Sequence, residues 1–192
     1  LVGAGGIGRV YKARDPRMDR LVALKILSPD RAEDPEWIER FTREARALAR
    51  LNHPQIVQVH AFGTDPEPHL VMEFVEGVNL RLIMEAGELS AREALLIVPK
   101  LCDALHYAHE QGVLHRDIKP ENVLVDTGGR VKLVDFGLAK LHDEGSLPFT
   151  LTQSGAKLGT IAYMAPEQIE HPSDVDHRAD IYSLGVVLYE ML

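Results

Sequence analysis

A segment of eight residues in the middle of the chain, 115–122, combines side chains that suit one kind of chemistry. It places a potential base, Asp117, close to a cation, Lys119, and to Asn122, whose amide oxygen can bind a metal. Asp135, in a later Asp-Phe-Gly triplet, supplies a second oxygen ligand of the kind that Mg²⁺ prefers. A base, a lysine and two metal ligands are the groups needed to move a phosphoryl group from a nucleotide to a hydroxyl.

Each of these residues has a plainer interpretation when it is taken alone. Asp117 would cap a loop and His115 would be a hydrogen-bonded core histidine, and for an isolated His-Arg-Asp those interpretations would be preferred. The spacing to the later residues favours chemistry, because a loose phosphoryl-transfer transition state depends on positioning and on neutralisation of charge. We therefore expect Asp117 to orient the attacking hydroxyl and accept its proton, and Lys119 to offset charge on the transferred group. Asn122 and Asp135 would hold the metal.

The chain opens with a glycine pattern, G-x-G-x-x-G, formed by Gly3, Gly5 and Gly8. A dinucleotide-binding fold needs a helix directly after this pattern, but residues 9–13 have strand composition. The context favours a flap whose backbone N–H groups cover phosphates. A tight hairpin without a ligand stays open as the alternative.

A lysine and a glutamate stand out by their positions in predicted elements. Ala23 and Lys25 share one face of strand 21–27, where the small Ala23 leaves room for a flat base and Lys25 can reach phosphates. Glu44 lies within the apolar stripe of the helix predicted from Asp34 to about Leu51. A carboxylate that faces the core must find a cation or become protonated, and Lys25 is its natural partner. The alternative is a lysine that extends to solvent.

The predicted elements divide the chain into a strand-rich part, residues 1–75, and a helix-rich part, residues 76–192. Ser90 and Glu93 form a capping box that opens a long helix ending near Gly112, and the last helix begins around His177. The remaining predicted strands are 56–62, 69–74, 123–125 and 131–134.

Composition excludes several classes of function. A net charge of −8, from 29 acids and 21 bases, argues against nucleic acid as the partner. The single cysteine, Cys102, excludes an internal disulfide framework and fits a reducing, cytoplasmic compartment. Cys102, His106 and His109 share one face of the long helix, but a zinc site lacks a fourth ligand, so core packing and capping are the preferred interpretation.

The ends of the chain suggest a fragment of a longer polypeptide. Leu1 leads straight into the glycine pattern, and the last helical pattern stops at Leu192 without a cap. No apolar run in this fragment reaches membrane-spanning length. A membrane anchor beyond residue 192 stays open, and we expect the fragment alone to fold poorly and to be weakly active.

In this order the motifs resemble the catalytic domain of eukaryotic-type serine/threonine protein kinases, in a style similar to bacterial members, truncated at both ends. The resemblance runs from the glycine flap through Val22-Ala23-Leu24-Lys25 to Ala165-Pro166-Glu167. It implies an α+β bilobal fold, in which a small antiparallel β lobe with one helix precedes a larger, mainly helical lobe. It also implies transfer of the γ-phosphoryl group of ATP, with Mg²⁺, to Ser and Thr hydroxyls of protein substrates.

The resemblance assigns further residues. Thr160 and Lys119 match the serine/threonine subfamily, and Asp180 would anchor the backbone of the loop at 115–122. Arg116 and Lys140 would bind phosphate on Thr150, Thr152 or Ser154, although a solvated Ser/Thr-rich loop remains the alternative. The residues expected to bind the nucleotide are Gly3, Gly5, Gly8, Val10, Ala23, Lys25, Met72, Glu73, Val75 and Leu124.

Two other functions fit parts of the pattern. A pseudokinase would bind a nucleotide or act as a scaffold without turnover, and it predicts the loss of at least one of Lys25, Asp117, Asn122 or Asp135. None of these is lost. A small-molecule kinase would lack the Thr160 segment and the Ala-Pro-Glu triplet, which resemble a platform for protein substrates.

Overall fold

A glycine hairpin begins the sheet of the first unit, Leu1–Glu76. The computed structural model describes residues 1–5, 8–27, 34–136 and 161–192. The strands of this unit are β1 (Gly3–Gly5), β2 (Gly8–Asp15), β3 (Arg20–Leu27), β4 (Val59–Gly63) and β5 (His69–Glu73). They pair in the order β1-β2-β3-β5-β4, and every pair is antiparallel. β3 is therefore the central strand, with hydrogen-bonded neighbours along both edges.

One helix, α1 (Pro35–Leu48), belongs to the same unit. It begins where the sequence predicts, because the side chain of Asp34 accepts the N–H groups of Glu36 and Trp37 at 3.0 and 3.3 Å. The helix ends earlier than the predicted Leu51, which is nevertheless 1% exposed. Leu51 reaches the core through a turn, in which its N–H donates to the carbonyl of Leu48 at 3.1 Å. The buried face of α1 comprises Trp37, Phe41, Ala45 and Leu48.

The second unit, Gly77–Leu192, is mainly helical. Its elements are β6 (Gly77–Asn79), α2 (Leu80–Glu85), α3 (Ala91–Glu110), β7 (Val123–Asp126), β8 (Val131–Leu133), α4 (Pro166–Glu170) and α5 (His177–Met191). The antiparallel sheet of this unit has the order β6-β7-β8. A 3-10 turn, Pro120–Asn122, leads directly into β7. α3 packs against α5 and contacts β8.

The predicted α+β architecture is confirmed for the described residues, in which a small antiparallel sheet with one helix precedes a mainly helical part. Ser90 and Glu93 form the predicted capping box at the start of α3. The sequence patterns did not reveal β1, β6, α2 or α4. Each of these elements is shorter than the windows in which apolar periodicity can be recognised, and β6 depends on pairing with β7.

Candidate active site

One buried carboxylate in the first turn of α5, that of Asp180, holds the loop that contains Asp117. Asp180 is 1% exposed. Its Oδ1 accepts the N–H of Arg116 at 2.7 Å, and its Oδ2 accepts the N–H of His115 at 2.9 Å and lies 2.7 Å from His109 Nε2. Burial alone would raise the pKa of this carboxyl, but the His109 side chain, the His115 ring and the two backbone N–H groups together lower it. The predicted anchoring of the loop by Asp180 is confirmed.

Two residues beside the reactive groups have a left-handed backbone. Arg116, which precedes Asp117, and Asp135 both have φ 65°. For residues other than glycine this conformation costs of order 1–3 kcal/mol, and it persists where surrounding contacts enforce it. The hydrogen bond from the Arg116 N–H to Asp180 is one such contact. Strained backbone of this kind clusters at functional sites.

The side chain of His115 lies on the buried side of the loop. The ring is fully buried, Nε2 lies 2.9 Å from the carbonyl of Val134, and Nδ1 lies 3.3 Å from the N–H of Asp117. Burial lowers the pKa of the imidazole. A neutral ring with its proton on Nε2 satisfies both partners, because Nδ1 then accepts and Nε2 donates. The ring also packs against Phe136, with 4.5 Å between the ring centroids.

Asp117, Lys119 and Asn122 form one hydrogen-bonded cluster. Lys119 Nζ donates to Asp117 Oδ1 and Oδ2 at 3.0 and 2.8 Å. Asn122 Nδ2 donates to the carbonyl of Asp117 at 2.7 Å and to its Oδ2 at 2.9 Å. The proximity of these side chains expected from their spacing is thus present in the structure. Their side chains are largely buried, at 15% exposed for Asp117 and 19% for Lys119.

The orientation of Asn122 suits a metal. Both hydrogens of its amide nitrogen are directed at Asp117, so the amide oxygen is the atom that can ligate a cation. The N–H of Val134 donates to the carbonyl of Asn122 at 3.0 Å, which ties the residue before Asp135 to the 3-10 turn. Two protein oxygens fit Mg²⁺, which keeps several waters and takes other ligands from phosphates.

The core packing predicted for the His/Cys face of α3 is wrong for Cys102 and His106, because this face of the helix is directed to solvent at both positions. Cys102 is exposed, His106 Nε2 lies 3.5 Å from Glu110, and His109 is bonded to Asp180. Among the residues that the structure describes, no group of three or more His, Cys, Asp or Glu side chains is placed to hold a metal ion.

Lys25 and Glu44 lie in the first unit. Lys25 is 3% exposed at the middle of β3, paired in register with Val10 of β2 and with Leu70 of β5. Glu44 lies on α1 with 18% of its side chain exposed, and its Oε1 lies 4.0 Å from Arg43 Nε. The Lys25–Glu44 pair inferred from the sequence stays a prediction.

The residues expected to bind the nucleotide are found in both units. In the β1–β2 hairpin Gly3 pairs with Val10 and Gly5 with Gly8. Ala23 of β3 lies opposite Met72 of β5. The remaining residues are Glu73 at the end of β5, Val75 in the segment after it, and Leu124 in β7 of the second unit.

A polar cluster around Arg81 was not predicted from the sequence. Arg81, on α2, donates to Glu121 at 3.1 Å, to Glu190 on α5 at 2.5 Å, and to the hydroxyl of Tyr163. The Tyr163 hydroxyl in turn donates to Glu190. Burial and the Glu190 carboxylate raise the pKa of Tyr163 to about 12. The phenol is therefore neutral at ordinary pH and links the segment before α4 to α2 and to α5.

Gln168 was also missed. Its Oε1 accepts the N–H of Ala165 at 3.0 Å, and its Nε2 donates to the carbonyl of Arg116 at 2.9 Å. The first bond belongs to the N-terminal cap of α4, which a Gln three residues after the cap position can suggest. The second joins residues 52 apart and has no local signal in the sequence.

The expected phosphate-binding and phosphorylated residues are only partly described. Arg116 is half-buried in the loop. Lys140, Thr150, Thr152, Ser154 and Thr160 lie outside the described residues, as does Gly137 of the Asp-Phe-Gly triplet. Within the described ranges no helix combines the length and apolar character needed to cross a bilayer.

Comparisons with known proteins show the family to which the chain belongs. A family model described as the protein kinase domain matches residues 1–192. The serine/threonine-protein kinase PknB of Mycolicibacterium smegmatis is 44% identical over 199 residues, which cover 100% of this chain and 31% of that protein. The PknB of Mycobacterium tuberculosis is 43% identical over 199 residues, with the same coverage.

Solved structures give the same result. The crystal structure of the Mycobacterium tuberculosis PknI kinase domain matches with a TM-score of 0.78 at 36% sequence identity. The match covers 99% of this chain and 71% of that chain. The chain spans 31% of the length of the PknB relatives, so it corresponds to a part of those proteins.

Proposed function

Because the chain belongs to the protein kinase domain family, we propose that it is part of the catalytic domain of a serine/threonine protein kinase. The enzyme transfers the γ-phosphoryl group of ATP to Ser and Thr hydroxyls of protein substrates, with Mg²⁺ as cofactor. One observation carries the proposal: Lys119 and Asn122 both donate hydrogen bonds to Asp117, the candidate base. A base, a cation and a metal-binding amide in one cluster suit phosphoryl transfer.

In this proposal the chain's own residues position the reactants. Asp117 orients the hydroxyl of the substrate and accepts its proton, while the Lys119 ammonium offsets negative charge on the transferred group. Asn122, through its amide oxygen, and Asp135 hold the metal. Mg²⁺, when bound, neutralises charge on the phosphate oxygens.

The first unit would bind most of the nucleotide. Gly3, Gly5 and Gly8 cover the phosphates, and Lys25, held by Glu44, extends toward them. Val10 and Ala23 contact the base, and the segment from Glu73 to Val75 after Met72 bonds to it through the backbone. The family match supports these roles. We retain a lobe boundary between residues 75 and 76.

Regulation by phosphorylation is part of the proposal. A phosphate on Thr150, Thr152 or Ser154 pairs with Arg116 and Lys140 through charge-assisted hydrogen bonds. Thr160 contributes to the serine/threonine-specific platform. The proposed setting is cytoplasmic, since a chain with one cysteine needs no oxidising compartment.

The experiment is phosphate transfer by the full-length protein with γ-labelled ATP, magnesium chloride and casein. Asp117→Asn lowers transfer about 10²–10⁴-fold, because the base is lost while the shape of the side chain is kept. Asp19→Asn is the matched control, since Asp19 is exposed and its positive φ of 50° also suits asparagine. Removal of magnesium with EDTA abolishes transfer in the wild type, and added magnesium restores it.

The outcomes separate the candidate functions. Equal labelling by wild type and Asp117→Asn ends the catalytic assignment. ATP binding with no transfer to any acceptor is the result expected of a pseudokinase. Transfer to small hydroxyl compounds but to neither casein nor the protein itself identifies a small-molecule kinase. Phosphoamino-acid analysis of labelled casein is expected to yield phosphoserine and phosphothreonine.

A further inference from the structure

The backbone of Arg116 is held on both sides by side chains from elsewhere in the second unit. Its N–H donates to Asp180 Oδ1 at 2.7 Å, and its carbonyl accepts from Gln168 Nε2 at 2.9 Å. Between these two bonds the residue has φ 65°. A left-handed residue other than glycine needs such enforcement, and the residue that follows it is Asp117.

The amide of Gln168 has a fixed orientation. Its oxygen accepts the N–H of Ala165, at the start of α4, so its nitrogen must be the atom that faces Arg116. The amide oxygen thus bonds at the start of α4, and the amide nitrogen bonds to the loop. The side chain is half-buried, which limits replacement of the second bond by water.

We infer that Gln168 is a positioning residue for phosphoryl transfer. By donating to the Arg116 carbonyl it keeps the peptide that joins Arg116 to Asp117 in the orientation in which the Asp117 carboxylate meets the substrate hydroxyl. The inference rests on the proposed function, since it gives Asp117 the role of base. It also links α4, which follows the Ala-Pro-Glu triplet, to the loop at 115–122 by one hydrogen bond.

A single substitution separates the two hydrogen bonds of this side chain. Gln168→Glu preserves the size and an oxygen that can accept the Ala165 N–H, which is favourable at a helix N-terminus. It replaces the donor with a carboxylate oxygen that faces the Arg116 carbonyl. When the new carboxyl is protonated, its O–H can donate to that carbonyl again. Gln168→Met removes both the acceptor and the donor.

The experiment measures kcat, the KM for ATP and the thermal midpoint of the full-length protein for wild type, Gln168→Glu and Gln168→Met, from pH 8 to pH 5.5. We expect Gln168→Glu to retain the wild-type midpoint and KM for ATP at pH 8 but to lose about tenfold to hundredfold in kcat, the scale of a misplaced reactive group. The ratio of its kcat to that of wild type rises as the pH is lowered. Asp117, Glu167 and Asp180 are present in both proteins, so the ratio removes their contribution.

Wild-type kcat in Gln168→Glu at every pH would overturn the inference, and so would a kcat ratio that stays constant with pH. If both variants lose thermal midpoint to the same extent and their kcat falls in parallel, Gln168 acts in folding alone, and the inference is again overturned. Asp117→Asn is measured alongside. If Asp117→Asn is inactive while Gln168→Glu behaves as wild type, the inference fails and the proposed function stands; if Asp117→Asn is fully active, the proposed function itself fails.

Discussion

The ammonium group of Lys119 contacts both carboxylate oxygens of Asp117, at 3.0 and 2.8 Å from Nζ. The lysine therefore lies where charge develops if Asp117 orients an attacking hydroxyl. Since Asn122 Nδ2 also donates to Asp117 Oδ2, the carboxylate is held from two sides. This arrangement ties the position of the base to that of the cation.

We predict that Lys119→Met lowers kcat about 10²–10³-fold, the usual effect of removing one group that stabilises transition-state charge. Lys119→Arg lowers it less, because the charge is kept but its position is not. Steady-state phosphate transfer by the full-length protein measures both. Lys100→Met, at an exposed position of α3, is the control. A Lys119→Met enzyme with wild-type kcat would remove Lys119 from the mechanism.

The second prediction concerns the pH dependence of stability. Burial lowers the pKa of His115, so the folded protein keeps the ring neutral while the unfolded chain takes up a proton below about pH 6.5. The stability that His115 contributes is therefore present above pH 6.5 and is lost as the pH falls, by at most about 1.4 kcal/mol per pH unit. The lowered pKa of Asp180 acts only below the ordinary carboxyl range, near pH 4, outside this window.

Thermal midpoints between pH 7.5 and 5.5 test this prediction. We expect the wild type to lose more stability across the window than His115→Phe, which keeps a ring against Phe136 but cannot be protonated. The variant is less stable overall, because the Val134 carbonyl loses its donor. Parallel curves for the two proteins would show that another group controls the pH dependence.

The third prediction ranks the members of the Arg81 cluster. Arg81 is 20% exposed and joins Glu121, Glu190 and Tyr163, so Arg81→Met should cost about 1 kcal/mol, after allowance for solvent screening of the exposed carboxylates. Tyr163→Phe should cost less, because it leaves the Arg81–Glu190 ion pair in place. Denaturant unfolding of the single and double variants measures the coupling. Losses that simply add would mean that the cluster does not act as a unit.

The fourth prediction compares two glycines of the β1–β2 hairpin. Gly8 has φ 146°, and a Cβ atom there would lie 2.1 Å from the carbonyl oxygen of Ile26. Gly8→Ala should therefore cost about 1–3 kcal/mol and raise the KM for ATP. Gly3→Ala is the matched control for stability, because no atom of the described residues lies within 4 Å of the added atom. Thermal midpoints report the difference in stability, and equal losses of thermal midpoint at both positions would contradict the geometry.

Much of this protein was predictable because the signals are local. The cap at Asp34 and the capping box of Ser90 and Glu93 each involve residues no more than three positions apart, and both helices begin where those residues predict. The set at 115–122 was recognisable since a base, a lysine and an amide at short spacing have few other uses. The C-terminal end of α1 was placed too late, because apolar periodicity continues to Leu51 although the helix stops at Leu48.

The sequence by itself determined the longer strands and helices and the residues able to do chemistry, because strand and helix periodicity, caps and closely spaced polar groups depend on neighbours along the chain. The tertiary structure alone decided how those groups are held. Asp180 binds Arg116 across 64 residues, Gln168 binds the same residue across 52, and Arg81 reaches Glu190 across 109. No local pattern specifies such pairs, since each hydrogen bond requires a distance and an angle that exist only after separate elements have packed.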